Sequence, residues 1–284
     1  MTEQNNNQLA FFNGKYMPIT EVAISPFDRG FLFGDSLYEV IPVYNGKMLG
    51  GDLHLQRLLN GLTAIGITSP YMLSDWRTIS RTVLATREAA QMLYIQVSRG
   101  AEASRKHRFP VVSEPTVLIF ATPFTPTVTM EYQGCAATLQ PDKRWQNCHI
   151  KATSLLANVL AYQQLYCNDL AENEALFVRD GVVVEAASSN LFMVKDNLIY
   201  TPPVDNILPG ITRHIILQIA DKLKYPICEL APSPAMLKNA DEVWVSNSIE
   251  ELKPVISIDG QMIGSGSPGK VWRELFLHYQ HKKG

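Results

Sequence analysis

Apolar residues alternate with polar ones in some stretches of this 284-residue chain and recur every three or four positions in others. The change of period separates strands from helices. Ala10 to Thr20 reads as a hairpin, with Asn13-Gly14 supplying the turn, and Leu37 to Tyr44 reads as a strand ending at a similar turn, Asn45-Gly46. Between them Asp28, Gly30, Gly34 and Asp35 crowd a stretch that suits an irregular segment feeding the strand. Pro42 interrupts the strand, so an edge position or a bulge is expected there. A helix from Asp52, its cap, to Ile67 turns Leu55, Leu58, Leu59 and Leu62 inward, and a second from about Leu73 to Ala90 buries Trp76, Ile79 and Val83. Strands at Met92–Ser98 and Thr116–Thr122 flank a polar loop, AEASRKHRFP.

Prolines 123 and 126 make ATPFTPT a semi-rigid linker. It divides the chain into a domain of residues 1–122, a linker of residues 123–127 and a domain of residues 128–284. The second domain begins with a strand near Ala136–Leu139 and continues with a hairpin, Glu174–Val178 and Val182–Glu185, across Asp180-Gly181. A polar bend from Ala186 to Asn190 leads to strands at Leu191–Val194 and Leu198–Tyr200. Pro209-Gly210 stop one element, and a helix opening near Ile211–Thr212 buries Ile215, Ile216, Ile219 and Leu223. A strand at Asp241–Ser246 and a last helix, capped by Ser267-Pro268, complete the chain. In IKATSLLANVLAYQQLY, from Ile150 to Tyr166, Leu155, Leu156, Val159 and Leu160 form one buried helix face, which leaves Lys151 at the helix entrance.

A lysine fixed at such a place can be desolvated, which lowers its pKa and frees its amine as a nucleophile. Taken alone, Lys151 reads as a solvated lysine at a helix start. Other features alter that reading. Arg99, Arg105, Lys106, His107 and Arg108 make the polar loop the densest positive cluster in the chain, either a solvated loop or a trap for a carboxylate. The free N–H groups of a helix starting at Ile211–Thr212 suit an anion such as phosphate. Glu185 ends a strand, and Arg57 lies on a first-domain helix. A nucleophilic lysine, an acid for a pyridine nitrogen and a phosphate cup of N–H, hydroxyl and guanidinium are what pyridoxal phosphate requires. The acid must stay ionised beside a protonated pyridinium, a pairing that lowers the glutamate's pKa.

Composition narrows the alternatives. With 46% hydrophobic and 18% charged residues the chain is an ordinary globular one, and a net charge of -2 gives no electrostatic footprint for nucleic acid or an anionic membrane. No apolar run reaches the length of a membrane span, and the start, MTEQNNNQLAFFNG, has neither the basic nor the apolar region of a secretory signal. The Asn5–Asn7 tract is expected to be a frayed tip. Four scattered cysteines without a CxxC argue against a disulfide framework or a metal site and fit a cytoplasmic protein.

Six stretches, DRGFLFGDSLYEV, HLQRL, the RxH of Arg105-Lys106-His107, RWQNCHIKATSLLANVLA, VVVEAASSNLF and LPGITR, stand in an order and at separations that resemble class IV (fold-type IV) pyridoxal-phosphate aminotransferases. The resemblance runs from about Phe11 to Tyr279. It implies an α+β/α-β, two-domain architecture, with a small α/β domain and a larger pseudo-barrel domain, and a homodimer with active sites near its interface. It makes Lys151 the Schiff-base lysine and Glu185 the partner of the pyridine nitrogen, with Arg57, Thr212, the Ile211 backbone and Ser248 around the phosphate.

Within the family, YIQVSRG and RKH look like the D-amino acid enzymes, as does RWQNCHIK. By that likeness Tyr38 joins Arg105 and His107, the latter two from the partner subunit, in binding the substrate α-carboxylate. The implied reaction is ping-pong transamination between a D-amino acid, such as D-alanine, and a 2-oxo acid, such as 2-oxoglutarate or pyruvate. The alternatives are an aminodeoxychorismate lyase making 4-aminobenzoate and a branched-chain L-amino acid aminotransferase. Two positions depart from the D-amino acid pattern: Ala186-Ala187 stand where Gly-Ser is usual, and Ser246-Asn247-Ser248-Ile249 is poorer in threonine.

Overall fold

The computed structural model describes residues 8–84, 88–108, 110, 113–126 and 133–283. Asn5–Asn7 and Thr127 of the expected linker lie outside the described residues. The chain forms two compact units, one comprising Met1–Thr125 with Ile150–Ser154 and the other Pro126–His149 with Leu155–Gly284.

In the first unit the elements are β1 (Leu9–Phe12), β2 (Lys15–Pro18), α1 (Arg29–Phe33), β3 (Ser36–Tyr44), β4 (Lys47–Met48), α2 (Gly51–Ala64), α3 (Leu73–Val83), β5 (Ala90–Ser98) and β6 (Thr116–Pro123). The strands form an antiparallel sheet in the order β2-β1-β6-β5-β3-β4. Leu55, Leu58 and Leu62 of α2 and Trp76, Ile79 and Val83 of α3 meet Ile41, Leu93, Ile95 and Ile119 of the sheet in one core. Alternation along β3 sends Ile41 and Val43 into that core. The Asn13-Gly14 and Asn45-Gly46 turns carry positive φ at both residues, the type I′ geometry that suits the twist of a hairpin.

Three local expectations differ from the structure here. The segment before β3 contains a helix, α1, whose Asp28 cap accepts a hydrogen bond from Gly30 N. The N-cap of α2 is Gly50, in the left-handed conformation; Asp52 lies in the first turn and pairs with Arg77 instead. Helix α3 ends at Val83, and Ala90 opens β5. Of the two alternatives for Pro42 the bulge is absent, since the strand runs continuously with Pro42 opposite Met92 of β5. The edge position is met locally: β4 is short and pairs only Val43 and Tyr44, and on that side Leu49 N donates to the Pro42 carbonyl at 2.9 Å, so no strand asks the proline for a donor.

The second unit contains β7 (Cys135–Pro141), α4 (Leu156–Cys167), β8 (Glu174–Arg179), β9 (Val182–Ala186), β10 (Asn190–Lys195), β11 (Leu198–Thr201), α5 (Ile211–Lys222), β12 (Ile227–Glu229), α6 (Pro234–Lys238), β13 (Glu242–Asn247), β14 (Glu251–Ile258), β15 (Gln261–Met262) and α7 (Lys270–Gln280). Its nine strands make a curled mixed sheet, β12-β11-β10-β13-β14-β7-β8-β9 with β15 on β14. The β11–β12, β14–β7 and β7–β8 pairs are parallel. The Ser267-Pro268 cap expected for α7 is displaced to Gly269, where a Cβ would stand 1.9 Å from the Glu242 carboxyl. That carboxylate accepts from Val271 N and Trp272 N and so caps the helix across the chain.

Helix α4 is the largest correction. It begins at Leu156, past Lys151, and buries Ala161 and Leu165 against Ala175, Phe177, Val184 and Ile207. The face expected to be buried is exposed, with Leu156 at 70%, Val159 at 59% and Leu160 at 50%. Apolar residues surround this helix, and the inward side is fixed by polar anchors: Asn158 Nδ2 donates to Ala187 O, and the Tyr162 and Ser188 hydroxyls meet at 2.8 Å. Periodicity alone could not choose between two apolar faces.

Candidate active site

Lys151 lies on a short extended strip that completes the open side of β3. Where β4 leaves β3 unpaired, Tyr38 N donates to Lys151 O at 3.1 Å and Thr153 N to Ser36 O at 3.0 Å, and Leu37 bridges to Ala152. The Ser36 and Thr153 hydroxyls meet at 2.5 Å, and Ser154 Oγ donates to Gly34 O. Gly34, with φ +66°, is required: a Cβ there would stand 2.6 Å from Ser154 Oγ. The half-buried Lys151 Nζ rests 4.1 Å from the Tyr38 ring centroid, and Tyr94 stacks on the other side at 6.0 Å. The amine is therefore positioned by an extended strip, not by a helix entrance as expected from the sequence.

One residue along β3 the side chain points to the opposite face, and there Glu39 is fully buried against α2. Arg57 grips it bidentately, Nε to Oε1 at 2.7 Å and Nη2 to Oε2 at 2.8 Å, while His54 Nδ1 lies 2.7 Å from Oε2. Burial alone would raise the Glu39 carboxyl, but Arg57 and His54 outweigh it and hold it at about 2. Burial pushes His54 down against the pull of Glu39, while the bidentate Arg57 contact is the foremost charge that holds the carboxyl low. Arg105 and His107 project from the exposed polar loop over a shared platform: Arg105 Cζ is 5.0 Å, and the His107 ring 5.3 Å, from the Phe33 ring centroid.

In the second unit Glu185 is buried near the end of β9. Its Oε1 accepts from Arg144 Nη1 at 2.5 Å, and its Oε2 accepts from Leu208 N at 3.3 Å and Asn190 Nδ2 at 3.4 Å. Arg144 also grips Asp142 through Nε and Nη2 and lies 4.5 Å from the Phe177 ring centroid. Burial pushes the Glu185 carboxyl up to about 7 against the pull of Arg144. The lowered pKa expected from the sequence presupposed a cationic ring beside it.

Ile211 and Thr212 are buried in the first turn of α5, whose N-cap, Gly210, supplies no side chain to the free N–H groups. A Cβ at Gly210 would lie 1.9 Å from Asn190 Oδ1, so the bare backbone is enforced by packing. Ser248 occupies the turn after β13, which Asn247 shapes by accepting from Ile249 N and Glu250 N through Oδ1. Of the departures, Ala186 and Ala187 are both buried and leave the Glu185 contacts intact.

Lys151, Tyr38, Arg57, Arg105 and His107 thus belong to the first unit, and Glu185, Ile211, Thr212 and Ser248 to the second. Each unit by itself holds groups of the kinds that pyridoxal phosphate requires: in the second, an uncapped twelve-residue helix opening on a bare glycine suits a phosphate and a buried carboxyl suits a ring nitrogen, and in the first an amine is held in place. Sequence reasoning missed Arg144, Glu39 and His54 as supports. Glu39 was legible as an acid at a position that strand alternation assigns to the core; Arg144 carried no local signal. Among the described residues no cluster of His, Cys, Asp and Glu could hold a metal ion, and no helix is long and apolar enough to cross a membrane.

Residues 36–258 match the family model of amino-transferase class IV. The chain is 38% identical over 266 residues to a D-alanine aminotransferase of Bacillus licheniformis, with 93% of each chain covered. It is 37% identical to one of Staphylococcus aureus (strain N315), covering 93% of this chain and 94% of that one. Among solved structures it resembles a branched-chain amino acid aminotransferase of T.th. with pyridoxamine 5'-phosphate, with TM-score 0.89 and 23% identity over 98% of this chain and 95% of that one. The branched-chain amino acid aminotransferase of Escherichia coli superposes with TM-score 0.86 at 25% identity, over 96% of this chain and 93% of that one. The fold is the two-domain architecture of fold-type IV. This chain belongs to the class IV aminotransferases.

Proposed function

We propose that this chain is a pyridoxal-phosphate-dependent D-amino acid transaminase, moving the amino group of a donor such as D-alanine to a 2-oxo acid such as 2-oxoglutarate. The observation that carries the reading is Lys151 Nζ, held against the Tyr38 ring in a chain whose curated relatives are D-alanine aminotransferases. When bound, the cofactor supplies an electron sink for the negative charge that develops at the substrate α-carbon.

Every other part is assigned to this chain's residues. Lys151 Nζ would be the amine that holds the cofactor, and once free it would take the substrate α-proton and return it as general base and acid. Glu185, paired with Arg144, would hold a proton on the pyridine nitrogen. Arg57, Thr212, the Ile211 N–H and Ser248 would hold the phosphate; Glu39 fixes the Arg57 fork. Tyr38 with Arg105 and His107 binds the α-carboxylate, the latter pair serving across a homodimer. The domains of this proposal are residues 1–122 and 128–284 joined through 123–127, and its setting is the cytoplasm. The order of events is ping-pong: donor binds, 2-oxo acid leaves, acceptor binds.

The test pairs stereochemistry with the lysine. D-Alanine and 2-oxoglutarate should give pyruvate while L-alanine does not, borohydride should fix the cofactor on Lys151, and Lys151→Ala should lose turnover. Turnover of L-leucine that ignores Arg105→Ala, or 4-aminobenzoate from aminodeoxychorismate, would refute the assignment in favour of the branched-chain enzymes or the lyases.

A further inference from the structure

The RKH loop is exposed, yet its backbone is tied to a buried guanidinium. Arg29, on α1, donates from Nη1 to Lys106 O at 2.7 Å and to Arg108 O at 3.3 Å, and from Nη2 to His107 O at 3.0 Å. The same side chain is fixed from beneath by Asp35 Oδ2 at 2.8 Å and Glu102 Oε1 at 2.7 Å. Asp35 also accepts two bonds from Arg99, and those two arginines hold its carboxyl below the ordinary range although burial opposes them. Arg29 N donates to Gly100 O, so backbone and side chain of one residue secure both the start and the crest of the loop. Gly100 permits the tight start: its φ is +99°, and a Cβ would stand 2.0 Å from Glu114 O.

Three consecutive carbonyls turned toward one guanidinium fix the direction in which the intervening side chains leave the loop. Phe33, on the same short helix, completes the mount. Arg29 Cζ lies 4.9 Å and Arg105 Cζ 5.0 Å from its ring centroid, with the His107 ring at 5.3 Å. The aromatic face attracts both guanidinium groups and lends the exposed pair a defined seat. A lysine could not replace Arg29 here, because one ammonium cannot span acceptors that need a planar fork.

We propose that Arg29 is the positioning residue of the RKH loop, holding Arg105 and His107 in their carboxylate-binding arrangement with Phe33 as their seat. This rests on the proposed reading in which Arg105 and His107 bind the substrate carboxylate. Arg29 touches no substrate; it acts through the loop backbone.

The experiment uses cofactor-loaded holoenzyme with Arg29→Lys, Arg29→Met, Phe33→Leu and Arg105→Ala. The first readout is the ratio of kcat/KM for D-alanine to that for (R)-2-aminopropan-1-ol, which has the same methyl and amine but no carboxylate. Arg29→Lys and Phe33→Leu should lower this ratio by about tenfold, through KM for D-alanine more than kcat, in the direction set by Arg105→Ala. The second is trypsin nicking after Lys106 and Arg108, which should accelerate roughly fivefold or more in the Arg29 variants as the scissile carbonyls are released. If Arg29→Met fails to load cofactor, the other two variants carry the test. The inference is overturned if Arg105→Ala collapses the ratio while Arg29→Lys and Phe33→Leu leave ratio and nicking unchanged. If Arg105→Ala leaves the ratio intact, the carboxylate reading falls and the inference falls with it.

Discussion

Replacing Arg144 with glutamine tests whether Glu185 owes its charge to the guanidinium beside it. Arg144 bridges Asp142 and Glu185, and all three side chains are buried. The two carboxylates are not equally exposed to its loss. Asp142 keeps a cation, since Arg179 Nη2 also donates to it at 2.6 Å. Among the described residues Glu185 retains the neutral donors of Leu208 and Asn190, at 3.3 and 3.4 Å. Opposite charges about 4 Å apart attract by roughly 4 kcal/mol at an effective dielectric of about 20, close to the 3–5 kcal/mol typical of breaking a buried pair. Glu185 already sits at about 7, so without Arg144 it will take a proton rather than bear the full penalty. Urea unfolding of the apoprotein should therefore show a loss of about 2–3 kcal/mol at pH 8 and distinctly less at pH 5.5, where the carboxyl is protonated in the wild type as well. A double-mutant cycle with Glu185→Gln isolates the pair, and its coupling energy should shrink as pH falls through 7. The holoenzyme should lose at least roughly tenfold in kcat at neutral pH, because a neutral Glu185 no longer holds the ring proton. A coupling energy below about 0.5 kcal/mol at pH 8, or one that does not change with pH, would refute the reasoning.

Two further outcomes follow from the geometry. Gly210→Ala places a Cβ 1.9 Å from Asn190 Oδ1, so Asn190 must leave Leu208 O and Glu185; cofactor titration by absorbance should show about tenfold weaker binding, with a lower apoprotein Tm. Glu39→Gln removes the anion that Arg57 and His54 share, which should cost about 3 kcal/mol at pH 7 by urea unfolding and weaken phosphate retention on dialysis. Because the folded pKa of Glu39 is depressed from 4.5 to about 2, its contribution is complete above the unfolded value and lost as pH falls toward 2, so this variant should flatten the acid limb of the stability curve.

The strands and tight turns were legible because their signals are local. Asn13-Gly14, Asn45-Gly46 and Asp180-Gly181 all adopt the positive φ pair their residue types favour, and the strand-like run Leu37 to Tyr44 falls within β3. The errors share a cause. Helix α1 has only five residues and two neighbouring glycines, too short for any period to register. In α4 apolar residues occur on every side, and what chose its inward face was Asn158 reaching Ala187 across the fold. The caps of α2 and α7 were misplaced because Asp52 found Arg77, and Glu242, far away in sequence, found the first turn of α7. Lys151 is held differently from the sequence expectation, since α4 begins five residues beyond it. Its mount is the unpaired side of β3, a pairing between residues far apart in sequence that no local pattern can show.

The groups named from the sequence are the ones proposed to meet a ligand; those the sequence did not reveal stand behind them. Behind Arg57 is Glu39 with His54, behind Glu185 is Arg144 with Asp142, and behind Arg105 and His107 is Arg29 with Asp35 and Glu102. Each support pairs a guanidinium with a buried or half-buried carboxylate. Stability alone does not explain this choice, since desolvating such pairs roughly cancels their attraction and apolar residues of similar volume would fold as well. What a bidentate ion pair supplies and an apolar contact does not is direction, because the fork has one low-energy orientation and rotates the rest of the side chain with it. A cofactor phosphate, a ring nitrogen and a substrate carboxylate all demand direction. An arginine–carboxylate pair stands directly behind each of the three groups proposed to meet them, and that placement is the sign that these pairs position the groups rather than hold the fold together.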